Sequence, residues 1–164
     1  MAVSNERAAA GQQSLRVGDA QGLQRVWEPH FYYEPRFREG LATCRFDLLA
    51  EPGSEPWIEW RSGGYPYQVG PSLKIDAQDR LVANGKVLAT VPRNQWLSLE
   101  VVCPLGGRAN GRYDLVLSIE GAVQRFPALS CDQDFKRLQW LGFVALADRP
   151  TAYFLDNVTL MLGR

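Results

Sequence analysis

GQQSLRVGDA (residues 11–20) and AYFLDNVTLML (residues 152–162) decide the fold. In each, apolar and polar side chains alternate, the rhythm of a strand with one face buried and the other wet. Most of the chain between them reads the same way. A first and a last strand of this kind predict an all-β chain: a two-sheet antiparallel β-sandwich, a jelly roll, with its two ends side by side.

Working outward, VWEPHFYYEPRF (26–37) is crowded with aromatics and broken by two prolines, which suits an edge strand. LATCRFDLL (41–49), WIEWR (57–61), VGPSLKID (69–76), KVLATV (86–91), WLSLEVVC (96–103), GRYDLVLSIE (111–120), AVQRFPAL (122–129) and LQWLGFVAL (138–146) complete the strands. Turn residues recur about every 8–12 positions, as in sandwiches and barrels. Asn84-Gly85 predicts a type I′ hairpin. Helical signal is confined to a turn or two in ERAAAGQQ and CDQDFKRL. Residues 13–164 read as one domain, and residues 1–12 as a lead-in or cut linker.

With 164 residues and 46% hydrophobic content, the chain is long enough to bury a full core. Eighteen basic and eighteen acidic residues cancel, which removes the broad electrostatic case for nucleic acid or anionic lipid. Charged residues or proline interrupt every apolar run, so membrane insertion is not expected. MAVSNERAAAGQQ lacks the apolar middle of a secretion signal. An excised domain of an extracellular, cell-surface or periplasmic protein is the expectation. Cys44 and Cys103 share faces with core residues and read as small buried hydrophobes, with a bridge between them left open; Cys131 falls in a polar turn.

The order of landmarks resembles the concanavalin A-like lectin/glucanase jelly roll, in particular the laminin-G-like modules appended to large secreted bacterial proteins. It is carried by SLRVGDA, PHFYYEPRFREG, FDLLAEPGSEPWIEWRSGGYPYQVGPSL, RLVANGKVLATVPRNQWLSLEVVCPLG and LQWLGFVALADRPTAYFLDNVTL. The scaffold hosts lectins, hydrolases, lyases and adhesion modules, so likeness alone does not select a function. The resemblance also implies a structural calcium at Asp156, with carbonyls near Gly11 or with Asp19 assisting. Asp156 reads as sharing a face with Phe154, Val158 and Leu160, so it needs a partner. A hydrogen bond to a turn amide or to Arg16 is the alternative.

Catalytic pairs are weakly indicated. Glu59 has Arg61 two positions on, not a second carboxyl, and only Asp47 or Glu100 stand as acids that could approach it. His30, the sole histidine, lies among aromatics and reads as a packed residue rather than a base. Sugar binding asks for less: aromatic faces and a few planar polar groups. Alternation puts Trp57, Glu59 and Arg61 outward, opposite Ile58 and Trp60. Tyr65, Tyr67 and Gln68 follow the Gly63-Gly64 loop, and His30 joins them as a candidate ligand-binding residue. Trp96, Trp140, Phe143 and Phe154 read as core. The sequence therefore suggests a non-catalytic carbohydrate-binding module for a poly- or oligosaccharide. A structural or adhesion sandwich packing on a neighbouring domain is the alternative, and a glycoside hydrolase or lyase the third reading.

Overall fold

The computed structural model describes residues 1–163. Thirteen strands build two antiparallel sheets: β1 (Ala2–Ser4), β2 (Ser14–Asp19), β3 (His30–Tyr33), β4 (Gly40–Ala50), β5 (Pro56–Arg61), β6 (Val69–Ile75), β7 (Arg80–Ala83), β8 (Lys86–Thr90), β9 (Trp96–Leu105), β10 (Arg112–Ile119), β11 (Ala122–Ser130), β12 (Trp140–Ala145) and β13 (Thr151–Gly163). The larger sheet runs β1-β2-β13-β4-β9-β10-β11, the smaller β3-β12-β5-β6-β7-β8. The two quoted fragments are neighbours, with Leu15 opposite Leu155. β3 is an edge strand, as the prolines on either side of it, Pro29 and Pro35, predict. Asn84 and Gly85 both have positive φ (43° and 83°), the backbone a type I′ turn requires. Within the stretch read as lead-in, Ala2–Ser4 pairs with β2.

Between the sheets lies a continuous core in which Phe46 of the larger sheet meets Phe143 of the smaller edge to face, 5.5 Å between centroids. Trp60, Tyr113, Tyr153 and Leu97 are also fully buried there. Burial of side chains this size, at about 25 cal/mol per Å² of apolar surface, is the main force holding the sheets together.

Period-two reading fails at one place in β13. A bulge between Asp156 and Thr159, with Asn157 at φ 51°, inserts one residue and switches the inward face. Tyr153 and Leu155 point into the core before it, Val158 and Leu160 after it. Phe154 and Asp156 therefore lie on the outer face, contrary to the strict alternation. Phe154 packs there with Leu49, Ala152 and Trp96 in a small second cluster. Asp156 accepts hydrogen bonds from the amides of Ala9 (2.8 Å), Ala10 (3.1 Å) and Asn157 (2.7 Å), which ties residues 9–10 across that face.

One end of the sandwich is closed by Arg93. Its guanidinium, on the connection between β8 and β9, donates to the carbonyls of Ser54 (2.7 Å), Glu51 (3.3 Å) and Asp76 (2.8 Å) and to Asp79 Oδ1 (2.6 Å). Three connections that pass between or within the sheets are thereby joined at one side chain. At the far edge of the larger sheet, β11 is broken by Pro127 and by Ala128 at φ 53°, and its register against β10 shifts between Tyr113 and Leu115.

All three cysteines are free. Burial pushes the Cys44 thiol up to about 12. Cys103 Sγ donates to the Pro104 carbonyl (3.7 Å) and Cys131 Sγ to the Asp132 carbonyl (3.8 Å); the neighbouring Cys131 thiol, then burial, push Cys103 up, and the neighbouring Cys103 thiol lowers Cys131. Since the thiolate is the reactive form, one equivalent of iodoacetamide adduct is expected on the native protein, at Cys131. Cys44 and Cys103 should react only after unfolding, as intact-mass analysis will show; early labelling of Cys44 would contradict the packing.

Candidate functional site

The outer face of the smaller sheet carries the candidate site. On β5, Ile58 and Trp60 turn inward (3% and 0% exposed), which sends Trp57, Glu59 and Arg61 outward as the alternation predicts. Register then sets their neighbours. Trp57 lies opposite Val144 on β12 and Lys74 on β6, Glu59 opposite Gly142 and Ser72, and Arg61 opposite Trp140.

Although it is on the outer face, Glu59 is only 5% exposed. A carboxylate so covered needs partners, and it has two. Arg61 Nε donates to Oε1 at 2.5 Å, and Ser72 Oγ donates to Oε2 at 3.2 Å. Ser72 Oγ in turn accepts from Trp57 Nε1 at 2.9 Å. One chain of hydrogen bonds therefore orients an indole, a hydroxyl, a carboxylate and a guanidinium. Ser72 is itself fixed by its backbone N–H to Asn84 Oδ1 at 3.0 Å.

Arg61 is surrounded by rings. Its guanidinium carbon lies 4.1 Å from the Trp140 centroid, 4.5 Å from Tyr67 and 5.6 Å from Trp57. Cation–π attraction and the Glu59 pair hold the planar group in place, which lowers the entropy cost of using it to bind. Tyr32 stacks beside Trp140 at 5.9 Å, and His30 lies 6.1 Å from Tyr32 and 4.9 Å from Trp27. His30 is thus one ring in an aromatic row.

Two depressions meet at this cluster. One, of about 500 Å³, is lined by Glu34, Arg36, Arg61, Gly63, Tyr67, Gln139 and Trp140, among others. The other, of about 390 Å³, is lined by Trp27, His30, Trp57, Arg61, Tyr67, Trp140 and Val144. Both fall in the size range of small-ligand sites.

The structure brings Trp57, Glu59, Arg61, Tyr67 and His30 together. Tyr65 stands at the loop tip, 94% exposed and outside both depressions. Gln68 shapes that loop instead: its N–H donates to Ser62 Oγ and its Oε1 accepts from the same hydroxyl. Asp156 is on the opposite sheet. Asp47 and Glu100 are there too, engaged by Ser98 and Arg45, so they do not approach Glu59.

Trp140 is the main correction. It is not core; Leu141 and Phe143 are, and Trp140 faces outward with its ring laid across Gly142. A Cβ on Gly142 would overlap that ring, so the glycine is the space in which the indole lies. A glycine in the middle of LQWLGFVAL, two places after a tryptophan, is the sequence signal for this arrangement. Trp27, Arg36 and Gln139 were also not singled out in the sequence; they come from three different connections.

No family model matches the chain, and no curated protein matches it. Solved structures do share its fold. The endo-β-1,4-glucuronan lyase of the fungus Trichoderma reesei superposes with a TM-score of 0.68 at 11% identity, over 98% of this chain and 87% of the lyase. The PL-14 alginate lyase of Aplysia kurodai gives 0.63 at 12%, over 98% and 86%. A tetrameric galectin from the sponge Cinachyrella gives 0.52 at 11%, over 80% and 99%. The fold is the concanavalin A-like jelly-roll sandwich. Among the described residues, no helix is long and apolar enough to cross a membrane.

Proposed function

We propose that this chain is a non-catalytic carbohydrate-binding module of a secreted or surface polysaccharide-processing protein, with its ligand on the outer face of the smaller sheet. The observation that carries the reading is Arg61, held by the buried Glu59 among Trp57, Tyr67 and Trp140 at the junction of two depressions. Aromatic faces suit the C–H surface of a pyranose, and a fixed guanidinium suits its hydroxyl or carboxyl oxygens. Lyases and galectins of the same fold act on or bind saccharides, which favours a sugar as the ligand. Glu59 supports binding over turnover, because both its oxygens are committed to Arg61 and Ser72.

Retention on polysaccharide affinity gels, alginate and glucuronan included, tests the proposal. Trp140→Ala and Tyr67→Ala should each weaken retention at least tenfold, about 1.4 kcal/mol. Tyr65→Ala should change it little, and thermal unfolding of all three should stay near that of the parent. Retention indifferent to Trp140 and Tyr67 would remove the site. Release of unsaturated or reducing sugar ends from either polymer would replace binding with catalysis.

A further inference from the structure

The two depressions are chemically unlike, and their arrangement fixes a direction. The first contributes Glu34, Arg36, Gln139 and the Ser62–Gly64 backbone, the second Trp27, His30, Trp57 and Val144. They share Arg61, Tyr67 and Trp140 as a common wall. His30, Val144 and Trp57 lie in one cross-strand row, and Trp140 and Arg61 in another. From Trp57 to Arg61 is four residues along β5, about 13 Å between backbone positions, and the Arg61 guanidinium reaches back to 5.6 Å from the Trp57 ring. The two depressions follow one another along the strands, with His30 and Trp57 toward one end and Glu34 and Gln139 toward the other.

We propose that the groove reads a saccharide chain laid along β5 and β12, with two adjoining sugar positions of different chemistry, and this rests on the reading of the face as a saccharide site. At the aromatic position a sugar ring stacks, its apolar face toward Trp57 and Trp27. At the polar position the next unit meets the donors of Arg36 and Gln139, with Glu34 as acceptor. Arg36 is placed to serve there: among the described residues its one ion pair is a loose 3.5 Å contact with Glu34, and its side chain is 77% exposed. Arg61 lies under the linkage between the two units, where its position is fixed whichever sugar is present. The ligand class is therefore an oligosaccharide of at least two units recognised within the chain, not a terminal monosaccharide.

A ladder of alginate, glucuronan and cellulose oligosaccharides, from one unit to four, separates the possibilities by calorimetry. Affinity should rise about tenfold or more between one unit and the longer members in the series that binds. Trp27→Ala and Arg36→Ala should each reduce tetrasaccharide affinity severalfold, whereas at most one of them alters binding of the single unit. A monosaccharide that binds as tightly as the tetrasaccharide, or that loses equally from both substitutions, would overturn the two-position groove and leave the site itself standing. A ladder in which no member of any series binds would instead overturn the saccharide reading.

Discussion

Arg93→Ala is expected to lower the unfolding free energy by roughly 3–5 kcal/mol, the largest effect of any polar substitution outside the site. The side chain is 9% exposed and donates to three main-chain carbonyls and one carboxylate. Deleting it takes the donor from the Ser54 carbonyl, where a buried acceptor left bare costs about 1–3 kcal/mol, and removes a further donor from Glu51 and Asp76, whose carbonyls keep the amides of Ser54 and Asp79. For a chain of this size that corresponds to a fall in Tm of roughly 6–15 °C. Arg93→Lys should recover less than half, because an ammonium lacks the fork that reaches Ser54 and Asp76 together. Asp79→Asn should cost under about 1 kcal/mol, since that carboxylate is half exposed. Urea titration measures all three. An Arg93→Ala loss below about 1 kcal/mol would show that water replaces the guanidinium and that the staple is ornamental.

The second large effect concerns Glu59 and Arg61, and it is asymmetric. Arg61→Leu should destabilise the fold by about 3 kcal/mol, because it leaves a carboxylate in a covered position with only the Ser72 hydroxyl. Glu59→Leu should cost less. Arg61 is 23% exposed and still has the rings around it and solvent within reach. The double variant Glu59→Leu/Arg61→Leu should be more stable than Arg61→Leu alone, since no unpaired charge remains. Equal costs for the two single variants, or simple addition in the double, would mean that the pair is not coupled as the 2.5 Å contact requires.

Most of the architecture was legible because a sandwich buries one face of nearly every strand. The rhythm of LATCRFDLL and WLSLEVVC, the two-residue turn at Asn84-Gly85 and the inward pair Ile58 and Trp60 all follow from that. What period-two reading could not supply was an insertion. One extra residue at Asn157 moved Phe154 and Asp156 to the outer face, and no local composition marks a bulge that is stabilised by distant amides at Ala9 and Ala10. Trp140 was misplaced for a related reason: an apolar strand buried on one face and aromatic on the other looks uniformly hydrophobic. Arg93 was invisible because its partners are carbonyls, which carry no sequence signature. Of the site, the half contributed by β5 was readable, and the half contributed by the connections on either side of β3 and after β11 was assembled only in space.

The interruption of β11 by Pro127 and the twisted Ala128 sets how these molecules behave in a crowd. A long, flat border would let one copy extend the next and knit many into fibres. Here the border lacks one donor and bends at the residue after it, which works against the addition of another strand along β11.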